Sequence, residues 1–518
     1  MLKNFPSDFE YILGLQEASV VAMADGYSQA TRKPVVVSLH TSAGTGNGMG
    51  NIMSAFLNKT PLIVIAGQQT REMLIGEPML TNREETMLPK PWVKWAYQPV
   101  AAKDVPAAVV RAIATAVMPP AGPVFLSIPL DDWDQEIESA PFIRNVSTRV
   151  SPDPEQLSLF ASRIHEAKRP ALVLGQEVDK SLGWEAGIKL AELLNIPVFQ
   201  APLAERAVFP ETHPLFKGTL PIAKGPLAQS VEPFDLLIVI GAEVWRYYPY
   251  VAGPVAPPGV SVLQITNDPH DAATALIGDS LLSDARLALE GLYRELQASG
   301  FQQSTGHSAQ KSPIDKVLSD TTPKSGASMT GMDAWNSLAK LRPKEALLVQ
   351  ESPSNGQDFV KAWPSEQAES YFTFASGGLG WNGPAAVGIA LAQKHKSSGR
   401  PTILAIGDGA LQYSVQSIYT AVQHKVRLIY LVPRNDEYAI LKEFAILENT
   451  PNVPALDLPG LDAVAAAKAY GCPAYFASDA TELQNVFKKA LQMEGPVLIE
   501  FPIDRHLRPL VAQNTAKA

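Results

Sequence analysis

At 518 residues, with 46% hydrophobic and 18% charged side chains, the chain has the composition of a globular protein too long for a single core. A net charge of −9, with no run of Lys or Arg, argues against a nucleic-acid or anionic-membrane surface. The single cysteine, Cys472, excludes an intrachain disulfide and a cysteine-built metal cluster and fits a reducing cytoplasm, and no apolar run reaches the roughly 20 residues of a membrane span.

Short β-branched runs alternate with Ala-rich helical stretches, the pattern of parallel sheets covered by helices. The chain opens on a loop that leads into a helix at Leu15–Ala18, running on through Tyr27. A strand at Val35–Leu39 then delivers His40 to a glycine-rich loop, Thr41–Asn47. Further strands are expected at Leu62–Ala66 and, after a helix at Val105–Val117, at Val124–Ile128. The middle third contributes strands at Ala171–Gly175, Leu236–Ile240 and Val260–Ile265, with no GxGxxG after the first, which argues against a nucleotide-binding oxidoreductase. Gln297–Ser328, rich in Gln, Ser, Thr, Lys, Pro and Gly, reads as a linker. Strands at Leu347–Gln350, Ile403–Ile406, Leu428–Val432 and Val497–Phe501 follow, the last after a helix at Leu483–Leu491.

An internal echo organises these elements. Gly122–Asp131 (GPVFLSIPLD) returns as Gly495–Asp504 (GPVLIEFPID), each copy after a helix, and Ala22–Asn47 parallels Ala385–Leu411. The first and last thirds therefore share one fold. The expectation is three doubly wound parallel-sheet α/β domains, residues 1–151, 152–296 and 329–518, with the linker at 297–328.

The chemistry concentrates at two strand ends. Ile403–Ile406 runs into Gly407-Asp408-Gly409, and Leu428–Val432 into Pro433-Arg434-Asn435-Asp436-Glu437, about one helix plus one strand later. If the strands are neighbours, a carboxylate and an amide oxygen converge where ligands of open α/β sheets bind. Hard oxygen ligands beside glycines that admit phosphate oxygens describe a Mg²⁺–diphosphate site.

This spacing resembles the cofactor motif of thiamine diphosphate-dependent enzymes. The likeness to the benzoylformate decarboxylase family extends over FPSDFEYILGLQEA, SAGTGN, PLIVIAGQQTR, DDWD, GGLG and the Asp457–Gly460 stretch. The resemblance implies a pyrimidine-binding first domain, a Rossmann-like middle domain and a diphosphate-binding last domain. It implies thiamine diphosphate and Mg²⁺ as cofactors, with Asp408, Asn435 and the carbonyl of Glu437 on the metal. It places Gly409, Ala410, Ser354 and Tyr438 at the cofactor's tail. Leu379 of Gly377–Gly380 would bend the cofactor, and the Gly377 carbonyl would receive its amino group. Glu17 would contact the aminopyrimidine, and His40 and Tyr248 would move protons around the substrate, with Thr373, Ile440 and Phe444 shaping the pocket. The implied reaction is non-oxidative decarboxylation of a 2-keto acid to an aldehyde and CO₂. Since Glu17 and Asp408 lie in different domains, the resemblance also implies a site between two copies, a dimer at minimum with a tetramer favoured.

Four departures qualify the likeness. Relatives carry an N-terminal segment before the point where this chain starts, with a serine that holds the substrate carboxylate, so a shortened and weakened enzyme is expected. Tyr248 stands where relatives have a histidine, and a phenol with a pKa near ~10 is rarely a base at neutral pH. Ile440 replaces a small residue and Thr373 a phenylalanine, pointing to a shorter or aliphatic substrate. Ala410 and Pro353 replace hydroxyl residues at the diphosphate, each a lost hydrogen bond of roughly 1.5–3 kcal/mol. An acetolactate-synthase-like carboligase and a cofactor-free homologue remain as rival readings.

Overall fold

The computed structural model describes residues 5–84, 86–138, 141–301, 329–450 and 452–511. Three parallel sheets organise them. The first contains β1 (Val35–Leu39), β2 (Leu62–Gln68), β3 (Ala96–Tyr97) and β4 (Val124–Pro129), in the order β1-β2-β4-β3. The second contains β5 (Pro170–Leu174), β6 (Val198–Gln200), β7 (Phe216–Thr219), β8 (Leu236–Ile240), β9 (Ser261–Thr266) and β10 (Asp279–Leu282), in the order β10-β9-β8-β5-β6-β7. The third contains β11 (Leu347–Glu351), β12 (Tyr371–Phe372), β13 (Thr402–Ile406), β14 (Leu428–Arg434), β15 (Ala474–Phe476) and β16 (Val497–Pro502), in the order β12-β11-β13-β14-β16-β15.

Strands covered on both faces are apolar throughout, as β5, β8 and β13 show, each with every residue buried. The strands not anticipated from sequence (β3, β6, β7, β10, β12 and β15) are short, and all but β6 lie at a sheet edge. An edge strand is covered on fewer sides and needs no continuous apolar run. Three expectations need correction. Thr41–Asn47 is not a loop but the first two turns of a helix, Thr41–Leu57. Its glycines are tolerated because tertiary packing outweighs helix propensity: a Cβ on Gly48 would press within 3.3 Å of Val21 and 3.4 Å of Leu39. Gly175 does not end β5 but caps the following short helix, and a Cβ there would lie 2.3 Å from the Gly241 carbonyl. Of the expected linker, 297–328, the first residues complete a helix ending at Ala298, and 302–328 fall outside the described residues.

The first and third sheets are joined by crossed helices, Glu17–Thr31 and Asn382–His395. They touch backbone to backbone: a Cβ on Gly26 would sit 2.2 Å from the Ala385 oxygen, and one on Gly388 2.0 Å from the Met23 oxygen. Asp25, fully buried beside the crossing, accepts hydrogen bonds from Trp381 Nε1 (2.7 Å), Asn58 Nδ2 (2.8 Å) and Gln29 Nε2 (2.9 Å). The middle sheet is pinned to both neighbours through Arg206, which is 1% exposed. Its guanidinium reaches Asp179 and Gln29 and lies 4.0 Å from the Phe372 ring centroid. Gly388→Ala gains about 1 kcal/mol of helix propensity, but its methyl meets immovable backbone. We therefore expect a net destabilisation of about 1–3 kcal/mol, read as a lower urea midpoint at unchanged m-value.

Candidate active site

In the third sheet, β12 lies to one side of β11 and β13 to the other, so the chain changes winding direction between β11 and β13. A crevice at such a switch point, outside the carboxyl ends of the strands, is where open α/β sheets take ligands. Here one pocket opens between the segment after β11 (Ser352–Asn355) and the segment after β13 (Gly407–Ala410). The end of β14 closes it, since β13 and β14 pair side by side.

Asp408 and Asn435 both line this pocket. Asp408 is 4% exposed, and its carboxylate accepts the Gly409 N–H (2.9 Å) and the Asp436 N–H (2.8 Å). Burial pushes its pKa up, and among the described residues no cationic side chain is among the groups acting on it. Asn435 Oδ1 accepts the Glu437 N–H at 3.3 Å, which curls the turn back on itself. The VPALDLPG stretch braces that turn: the Tyr438 N–H donates to the Leu456 carbonyl and the Leu458 N–H to the Asp436 carbonyl, both at 2.8 Å. Lys442 ties the Glu437 carboxylate to Asp457. Asp436 takes φ +54°, the left-handed region that Asp tolerates better than most residues, and its carboxylate faces Arg434 and Arg505.

Ser354, Leu379, Gly409, Ala410, Glu437, Tyr438 and Ile440 also line the pocket. Gly377 and Gly380 adopt φ +73° and +101°, which only glycine enters cheaply, and so fold the turn that carries Leu379. A residue that sequence reasoning missed holds this turn. Glu351, the last residue of β11, accepts the Gly380 N–H (2.6 Å) and the Asn382 N–H (2.7 Å) on its two carboxylate oxygens. The available signal was a carboxylate closing an apolar strand, the same pattern that singled out Asp408.

The other expected residues lie outside this pocket. Glu17 is the first residue of its helix and half-buried, with Asn47 Nδ2 donating to it at 3.2 Å. His40 is exposed at the helix start that follows β1, one turn before Gly44, where a Cβ would stand 3.4 Å from both Glu17 Oε1 and His40 Cβ. Next to His40, Thr41 takes φ +46° with its hydroxyl buried and unpaired, an unusual state for a β-branched residue and one that clusters at functional sites. Tyr248 is 61% exposed and packs 5.2 Å from the Phe444 ring, bringing the middle sheet against the helix that also carries Ile440. Thr373 does not line this pocket, and its hydroxyl donates to the Gln350 carbonyl (2.8 Å). Glu17 and His40 thus both lie beside Gly44, and Asp408 and Asn435 line one pocket, but the first pair does not line the pocket of the second within one chain.

Profiles of the thiamine pyrophosphate enzymes match all three parts of the chain: the N-terminal TPP binding domain at residues 1–84, the central domain at 157–292 and the C-terminal TPP binding domain at 355–501. Benzoylformate decarboxylase of Pseudomonas aeruginosa is 39% identical over 97% of this chain and 93% of its own length. The chain belongs to the thiamine pyrophosphate enzyme family. The crystal structure of benzoylformate decarboxylase from Polynucleobacter necessarius superposes with a TM-score of 0.95 at 48% identity, covering 98% of this chain and 94% of that one. A probable acetolactate synthase large subunit of Methanocaldococcus jannaschii is more distant, 25% identical over 96% of this chain and 86% of its own.

The residues present fit the family's cofactor (thiamine pyrophosphate and thiamine diphosphate are one compound). A buried carboxylate without a cationic partner and an amide oxygen on the adjacent strand suit a hard cation, which a diphosphate would help to hold. Among the described residues no cluster of three His, Cys, Asp or Glu side chains could hold a metal, so the cation would need backbone, amide and phosphate oxygens. No described helix is long and apolar enough to cross a membrane.

Proposed function

We propose that the chain decarboxylates a 2-keto acid without oxidation, releasing an aldehyde and CO₂, with thiamine diphosphate and Mg²⁺ as cofactors. The observation that carries this reading is the buried Asp408 carboxylate at the switch-point crevice, held by backbone N–H groups and, among the described residues, by no salt bridge, beside Asn435 in a chain 39% identical to a benzoylformate decarboxylase. When bound, the cofactor supplies the electron sink for the pair left behind as CO₂ departs.

The protein's part is orientation, proton handling and exclusion of water. Asp408, Asn435 and the Glu437 carbonyl would grip the metal, while Ser354, Gly409, Ala410 and Tyr438 surround the diphosphate. Leu379 would set the cofactor's bend from below, and the Gly377 carbonyl would take its amino hydrogen. Glu17 would hold a proton against the aminopyrimidine. His40 would deliver a proton to the product carbon, with the Tyr248 hydroxyl as a second donor. Because Glu17 does not line the Asp408 pocket of its own chain, we place each site between two copies, with a dimer as the smallest active unit.

Ile440 lines the pocket and adds bulk to it, while Thr373 is not among the residues that line it. The substrate side chain is therefore short or aliphatic. CO₂ release over a panel of keto acids tests this: we expect aliphatic acids to exceed benzoylformate, and Ile440→Ala to shift the ratio of kcat/KM toward the aromatic acid by about 10-fold, the scale of one to two methylenes in an apolar pocket. CO₂ released together with a C–C coupled product in place of the free aldehyde would favour the carboligase reading that the acetolactate synthase relative keeps open.

A further inference from the structure

We infer that Glu351 is a positioning residue that clamps the Gly377–Asn382 turn and thereby fixes Leu379 beneath the cofactor. The inference rests on the cofactor reading above and concerns a residue that takes no part in the chemistry.

Glu351 is 1% exposed and ends β11, immediately beside the tip of β13. Its three acceptor groups are directed at three different parts of the site. Oε1 takes the Gly380 N–H at 2.6 Å, and Oε2 takes the Asn382 N–H at 2.7 Å, where the Asn382–His395 helix begins. Its backbone carbonyl takes the Gly407 N–H at 3.1 Å, one residue before Asp408. The turn between the two clamped amides is Gly380-Trp381-Asn382, and Leu379 hangs directly from it. The neighbouring Asn382 side chain adds a bond to the Gln350 carbonyl at 2.7 Å.

An isolated carboxylate is an expensive way to fill this space. Burial pushes Glu351 up to about 8, and among the described residues no cation offsets it. A glutamine would fill the same volume at less desolvation cost. In its charged form Glu351 presents two acceptors to two donors, whereas an amide would present an N–H₂ to one of the N–H groups. Leu379 itself is half-exposed on a turn whose glycines impose no rigidity of their own. Two hydrogen bonds to one buried carboxyl group, on either side of Trp381, are what hold the turn in one shape.

The test is hydrogen exchange of the full-length apoprotein across residues 377–382, for the wild type and Glu351→Gln. Calorimetry with thiamine diphosphate and Mg²⁺, and steady-state kinetics, accompany it. We expect the amides of Gly380 and Asn382 to exchange about 10- to 100-fold faster in the variant, the loss of one bond to a charged group, with the rest of the third sheet unchanged. In the kinetics kcat should fall while KM for the keto acid stays within about twofold, because the turn touches cofactor and not substrate. Glu351→Asp keeps both acceptors one methylene farther back and should fall between, and it carries the same exchange measurement if the glutamine variant does not fold. Unchanged exchange at 377–382, or an acceleration spread evenly over the third sheet, overturns the clamp. A wild type that binds no thiamine diphosphate overturns the proposed function instead, and the exchange result still reads the clamp.

Discussion

Asp408→Asn is expected to abolish Mg²⁺-dependent binding of thiamine diphosphate while leaving the apoprotein folded. The carboxylate sits at the tip of β13, 4% exposed, and is held by two backbone N–H groups rather than by a cationic side chain. Desolvation raises its pKa and the backbone N–H groups offset that only in part, so in the apoprotein the charge is a burden that a bound cation would relieve. Asparagine keeps an acceptor for one of the two N–H groups and removes the charge. The change in apoprotein stability should therefore stay within about 1 kcal/mol in either direction. Metal affinity should fall by more than about 100-fold, because losing even an outer-shell partner of a metal ligand costs 10- to 100-fold. Calorimetric titration with the cofactor and Mg²⁺ reads the first effect and thermal unfolding of the apoprotein the second. Full cofactor affinity in Asp408→Asn would remove the metal site from the account.

Glu17→Gln is expected to cut kcat by about 10²- to 10⁴-fold, the span of one positioned general acid–base group. The substitution preserves shape, and the glutamine oxygen can still accept from Asn47 Nδ2. Cofactor affinity should change less than about tenfold, because the diphosphate end carries most of the binding contacts. A variant with normal turnover would mean that Glu17 is only an acidic first-turn residue stabilised by the helix dipole.

Much of the architecture could be read from residues whose local chemistry and tertiary role agree. Asp408 and Asn435 end apolar strands, and the order of the third sheet makes those strands neighbours. The same logic applied to Leu347–Glu351 points to Glu351, but a carboxylate that receives backbone N–H groups leaves no spacing motif behind. Thr41–Asn47 misled because its glycines suggest a loop, whereas they begin a helix whose Gly48 packs closely against Val21 of the Glu17–Thr31 helix. Thr373 could not be placed from sequence, since its bond to the Gln350 carbonyl depends on how β12 lies against β11. The edge strands were invisible for a related reason, their shape being set by the neighbour they pair with rather than by their own apolar pattern.

Each active site, as proposed, takes Glu17 from one copy and Asp408 from another. Mixing separately inactive Glu17→Gln and Asp408→Asn proteins, after dissociation and reassembly, tests it directly. In a mixed dimer one site carries both lesions and the other carries neither. Random pairing should therefore restore about a quarter of wild-type CO₂ release, half of the dimers being mixed with one intact site each. Activity that stays at the level of the separate variants, in a mixture that demonstrably exchanges chains, would contradict a shared site.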